Sequence, residues 1–123
     1  MSTSKSDVEQ TVKAYATAFH TGDIEGLRAI FLPDCKLQFL QSGELKVFTA
    51  NVWIDLVASR KSSSELGHSE VSTITQLDFA GPDCASATLE MIAPPTRFVD
   101  QLHLLRINDD WRIVAKTFHT EPA

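Results

Sequence analysis

Positive charge is the scarcer sign in this chain: 11 lysines and arginines stand against 16 aspartates and glutamates, a formal net charge of −5. Such a surface is poorly suited to neutralising phosphates, so nucleic acid is not expected as a partner. Long apolar runs are also missing. No stretch approaches the ~20 apolar residues that span a bilayer, and the amino terminus MSTSKSD has no apolar h-region. The expectation is a cytoplasmic protein with no membrane partner. The two cysteines, Cys35 and Cys84, form no CxxC or Cys/His cluster and read as free, buried or half-buried thiols. There is no glycine-rich phosphate loop and no G-x-S-x-G elbow, so no cofactor is expected.

What is present is the balance of one globular domain, residues 1–123, with 43% apolar and 22% charged residues. Ser6-Asp7-Val8-Glu9 has the form of a capping box, which places a helix start near Asp7. Val8, Val12, Tyr15 and Phe19 then recur at spacings of four, three and four, the apolar stripe of a helix. Gly22 can end that helix, Asp23 can cap a second with Leu27, Ile30 and Phe31 on its buried side, and Pro33 stops it. An extended segment at 35–40, the turn Gln41-Ser42-Gly43-Glu44 and a short strand at 45–48 suggest a hairpin. Thr49 can cap a third helix over 50–60 with Trp53, Ile54 and Val57 on one side.

From there the period changes to two. Residues 68–79, 84–92, 97–107 and 111–119 read as strands whose short connections force antiparallel neighbours. Three helices followed by such strands make an α+β fold, with the helices gathered on one face of the sheet. On the other face we expect Leu102, Leu104, Val114 and Phe118, too many large apolar side chains for solvent, which predicts a homodimer formed sheet against sheet.

Residues 12–35, VKAYATAFHTGDIEGLRAIFLPDC, followed by an extended segment, resemble the opening of the nuclear transport factor 2-like superfamily, which includes ketosteroid isomerases, dehydratases and SnoaL-like polyketide cyclases. Residues 98–119, FVDQLHLLRINDDWRIVAKTFH, resemble the F-x-D-x-L-x-L-x-K-x-x-x-x-W-x-I-V-x-K pattern of its putative lumazine-binding branch, with Arg106 at the first lysine. The resemblance implies a cone: three amino-terminal helices on a strongly curved, antiparallel-rich sheet, with an internal pocket. It also implies roles. Tyr15 falls on the tyrosine that donates to the substrate oxyanion in ketosteroid isomerases, and, allowing a gap, His103 takes the place of the second donor. Phe39 stands where those enzymes have their general base, so that reaction is not expected.

Each candidate has a plainer reading. Tyr15 is either a core residue whose hydroxyl finds one polar partner or a ligand contact. His103 either faces the cavity or is structural, and shares its side of the strand with Gln101. Asp100 is expected to pair with Lys116 or Arg112 across the sheet. Arg97 is a solvated charge or an anion ligand. With the last turn centred near Asp109, His103 faces Ala115 and His119 faces Val99, so no histidine pair forms a metal site. Three functions remain open. One is a pocket for a small apolar or aromatic ligand walled by Phe19, Phe39 and Trp53, with polar contacts from Tyr15, Gln101 and His103. Another is a dehydratase, cyclase or isomerase using His103 and Tyr15. The last is a non-catalytic dimeric module.

Overall fold

The computed structural model describes residues 4–123; the start of the polar amino terminus lies outside the described residues. Helix α1 (Ser4–Thr21) buries Val8, Val12 and Tyr15 completely and Phe19 in part, following the expected stripe. The helix already includes Ser4, so Ser6 lies inside it and the Ser6/Glu9 box does not mark its start: an N-cap needs non-helical backbone. Gly22, at φ +72°, turns the chain, and the Asp23 carboxylate accepts the Gly26 N–H at 3.0 Å to cap α2 (Ile24–Ile30). Phe31, expected on this helix, instead opens strand β1 (Phe31–Gln41). Pro33 therefore lies within a strand, where it cannot donate to the ladder, and the pairing register shifts between Phe31 and Lys36.

Ser42 and Gly43, both at positive φ as a type I′ turn requires, close the hairpin from β1 to β2 (Glu44–Thr49). The Thr49 hydroxyl accepts the Val52 N–H at 3.3 Å and starts α3 (Ala50–Ala58), two residues shorter than expected. Strands β3 (Val71–Gly81), β4 (Cys84–Ala93), β5 (Thr96–Ile107) and β6 (Asp110–Pro122) complete the chain. The mixed six-stranded sheet has the order β2-β1-β6-β5-β4-β3, antiparallel except between β1 and β6. His103 pairs with Ala115 and Val99 with His119, as the sequence predicts.

The three helices pack on one face of this sheet. Along β4 the burial alternates: Ala85, Ala87, Leu89 and Met91 are buried, while Ser86, Thr88 and Glu90 are half-buried. Strand β5 turns Asp100, Leu102 and Leu104 inward, so the two leucines expected on the outer face belong to the core. Strand β6 changes parity part-way. Leu104 pairs with Ile113 and His103 with Ala115, leaving Val114 without a partner: one extra residue in β6, a bulge. Before it, Trp111 and Ile113 are buried; after it, Lys116 is, and Phe118, expected on the outer face, lies half-buried on the inner side with it. Without the extra residue Lys116 would point outward. Cys35 is buried and Cys84, against expectation, is exposed at the start of β4.

Candidate functional site

A cavity of about 280 Å³ lies between the helices and the inner sheet face. Its walls are aromatic: Phe19 and Trp53 from the helices, Phe39 and Phe48 from the first hairpin, and Phe98 and Phe118 from β5 and β6. Phe19 stacks on Trp53 with ring centroids 5.9 Å apart, and Phe39 lies 4.5 Å from Phe118. The polar members are Tyr15, Gln41, Arg60 and Lys116.

At one end of the cavity three polar groups meet in the core. The Tyr15 hydroxyl donates to Asp100 Oδ2 at 2.5 Å and accepts from Lys116 Nζ at 2.7 Å, and Nζ is 3.4 Å from the same carboxylate oxygen. All three side chains are almost wholly inaccessible. Burying a charge is unfavourable unless it is paired and hydrogen-bonded, and the three groups do this for one another at Asp100 Oδ2, while Asp100 Oδ1 is buried without a partner. Burial pushes the Lys116 ammonium down from its ordinary pKa, with Asp100 opposing, and pushes the Tyr15 phenol well up, reinforced by Asp100. The ammonium also lies 4.2 Å from the Trp53 ring centre, 4.8 Å from Phe118 and 5.0 Å from Tyr15, a cation–π arrangement.

The hydrogen-bond inventory determines what this cluster can offer a guest. Tyr15 has one O–H, and Asp100 takes it. It is therefore not free to donate to an oxyanion, the role that the resemblance implies for it. Lys116 has three N–H donors, of which Tyr15 and Asp100 engage at most two, so the ammonium is the donor that can address an acceptor in the cavity.

Of the six residues expected at the site, Tyr15, Phe19, Phe39 and Trp53 converge on this cavity. Gln101 and His103 do not. Both are exposed on the outer sheet face, because β5 alternates and Asp100 occupies the inward set. The group that the fold puts beside Tyr15 is Asp100 rather than His103, so Tyr15 and His103 cannot act in one site. Arg97 is held by Glu90 at 2.8 Å and Glu121 at 3.1 Å, and so is neither simply solvated nor free for an anion. Residues that sequence reasoning left out of the site include Lys116, Arg60, Gln41, Phe48, Phe98 and Phe118. Their signal was present in part, since Phe98, Asp100 and Lys116 are fixed positions of the carboxyl-terminal pattern.

A larger recess of about 470 Å³ shares Phe39 and Phe118 with this cavity and opens toward the outer face, with Gln38, Leu40, Leu45, Val99 and Gln101 also in its wall. Its one ionisable member, His119, is mostly exposed and 3.0 Å from Glu121. The smaller cavity, with its buried charged cluster, is the better candidate for chemistry.

Residues 3–119 match the model of a family described as putative lumazine-binding. The chain belongs to this family. Solved structures place the putative lumazine-binding chain in the nuclear transport factor 2-like fold. One, a nuclear transport factor 2-like protein of unknown function from Silicibacter pomeroyi, aligns with TM-score 0.84 and 23% identity over 94% of each chain. Another of that description, from Shewanella baltica, has TM-score 0.84 and 21% identity over 97% of this chain and 94% of the other. A ketosteroid isomerase-like protein from Erwinia carotovora aligns with TM-score 0.73 and 15% identity over 96% of both. These identities establish the fold alone. No functionally curated protein matches the chain significantly.

Proposed function

We propose that this member of the putative lumazine-binding family binds a small, flat, largely apolar or aromatic molecule in the inner cavity, within the cone-like pocket of its fold. The observation that carries the reading is the buried Lys116 ammonium, which keeps an unspent donor beside a cavity walled by six aromatic rings. Aromatic walls select a planar guest by area and stacking, and one directed polar group orients it. At about 280 Å³ the cavity falls just below the roughly 300–1,000 Å³ of small-molecule sites, which restricts the guest to one or two rings.

The test is thermal unfolding and, in a Trp111→Phe background, Trp53 fluorescence with a panel of one- and two-ring aromatic compounds bearing a carbonyl or ring nitrogen. A rise in Tm that saturates with concentration and is lost in a Phe39→Trp variant, which narrows the cavity, supports the reading. Flat responses across the panel at millimolar concentrations would overturn it.

A second proposal concerns assembly through the outer sheet face. Leu102, Leu104 and Phe118, all turned inward, do not support it, but Leu40, Leu45 and Val47 do: they are 70%, 59% and 47% exposed and adjacent on β1 and β2. Sedimentation of the wild type against Leu40→Lys decides between a dimer through this face and a monomer.

A further inference from the structure

Charge around the inner cavity is one-sided. Neither its wall nor that of the neighbouring cavity of about 330 Å³, which shares Phe19, Val57, Arg60 and Phe98 with it, contains an aspartate or glutamate, in a chain whose acids outnumber its bases. The cations there are Lys116, Arg60 and Lys61. They are not equivalent. Lys116 is already matched by Asp100, so a second anion beside it would be buried without a counter-charge of its own. Lys61 acts on Glu65, whose carboxyl is held below its usual range chiefly by hydrogen bonds from Ser62 and in smaller part by the Lys61 charge. Arg28, Arg97 and Arg106 each hold a carboxylate. Arg60, just beyond the end of α3, is exposed, and among the described residues its guanidinium has no ion pair or hydrogen bond.

Resting on the binding reading above, we infer that the ligand is a flat aromatic acid of defined orientation: a carboxylate or equivalent anion at Arg60, and a neutral acceptor, a carbonyl or ring nitrogen, at Lys116. A guanidinium presents paired donors that match a carboxylate, whereas the Lys116 ammonium offers one remaining donor, which suits a single acceptor. An anion in this orientation receives charge where charge is unmatched. The neutral end enters the desolvated part of the site.

The probes are 4-acetylbenzoate, its neutral counterpart 4-acetylbenzamide, and 4-ethylbenzoate, which keeps the acid and lacks the acceptor, titrated by calorimetry against wild type and Arg60→Gln. Arg60 is exposed, so the variant should fold. The expected result is that 4-acetylbenzoate binds roughly three- to tenfold more tightly than the amide, that Arg60→Gln removes this preference, and that added salt weakens the acid alone. 4-Ethylbenzoate should bind more weakly than 4-acetylbenzoate by a similar factor in both proteins. Equal affinities for acid and amide, or a preference that survives Arg60→Gln, would overturn the inference and leave the binding reading standing. Failure of all three probes, together with flat responses across the neutral aromatic panel, would remove both.

Discussion

Lys116 reaches Asp100 across the inner face of the sheet only because Val114 is an extra residue in β6. The bulge turns the ammonium inward to 3.4 Å from Asp100 Oδ2, with the Tyr15 hydroxyl joined to both. Breaking such a buried pair is far worse than replacing it whole. Asp100→Leu alone should destabilise the protein by about 3–5 kcal/mol, because it strands the lysine, whereas Asp100→Leu with Lys116→Met should lose much less than the sum of the single changes. Urea unfolding of the wild type, both single variants and the double variant measures this; additive losses would mean that the two groups are not coupled.

The buried thiol gives an alkaline signature of defined sign. Burial pushes Cys35 from its ordinary 9.0 up to about 11, with the Lys116 charge opposing. Above pH 9 the unfolded chain loses this proton while the folded protein keeps it, so the stability that depends on it is whole below pH 9 and declines toward pH 11. Tyr15, also raised, acts in the same direction above its ordinary 10.0, and Lys116, lowered, in the opposite direction below its ordinary 10.5. Comparison with Cys35→Ala removes most of both. The stability of wild type relative to Cys35→Ala should fall between pH 9 and 11. In the native state, a disulfide reagent at pH 8 should modify exposed Cys84 quickly and Cys35 only on unfolding.

Two glycines at positive φ differ in their surroundings. A Cβ at Gly43 meets nothing within 4 Å, but one at Gly22 would sit 3.1 Å from the Ser62 Cβ. Gly43→Ala should therefore show the backbone penalty alone, about 1–2 kcal/mol, and Gly22→Ala a larger loss, with the 62–66 loop displaced. Thermal melts of the two variants rank them.

Most of the architecture was legible because each helix carries its own stripe and cap and each β-turn its own residues: Asp23 and Thr49 cap as read, and the last turn produces the predicted partners of His103 and His119. The inward set of a strand was harder. A period of two gives two sets of side chains and does not say which is buried, and in β5 the set containing Asp100 looked less like core than the set containing Val99 and Leu105. In β6 no single parity holds, since the bulge at Val114 lies between residues of ordinary strand propensity and has no glycine to announce it. Tyr15, Phe19 and Trp53 were placed toward the cavity because helical periodicity survives such shifts. Gln101 and His103 were misplaced, and Lys116, correctly expected as a partner of Asp100, was not placed at the cavity, because strand parity does not.

The histidine that first looked like an acid–base group thus supplies a control. His103 is exposed on β5 opposite Ala115, its side chain has no hydrogen bond among the described residues, and the sheet separates it from the cavity. His103→Ala should change stability by no more than about 0.5 kcal/mol and leave the affinity of an inner-cavity ligand unaltered. Lys116→Met should weaken that ligand by roughly tenfold or more, through loss of a charge-assisted hydrogen bond, and Lys116→Arg should not restore it, because its longer side chain moves the charge away from the position 2.7 Å from the Tyr15 hydroxyl that the ammonium holds. Titrating one aromatic ligand into the three variants, each first shown to be folded by circular dichroism, reads out both effects. An affinity that followed His103 and ignored Lys116 would place the functional surface on the outer face of the sheet.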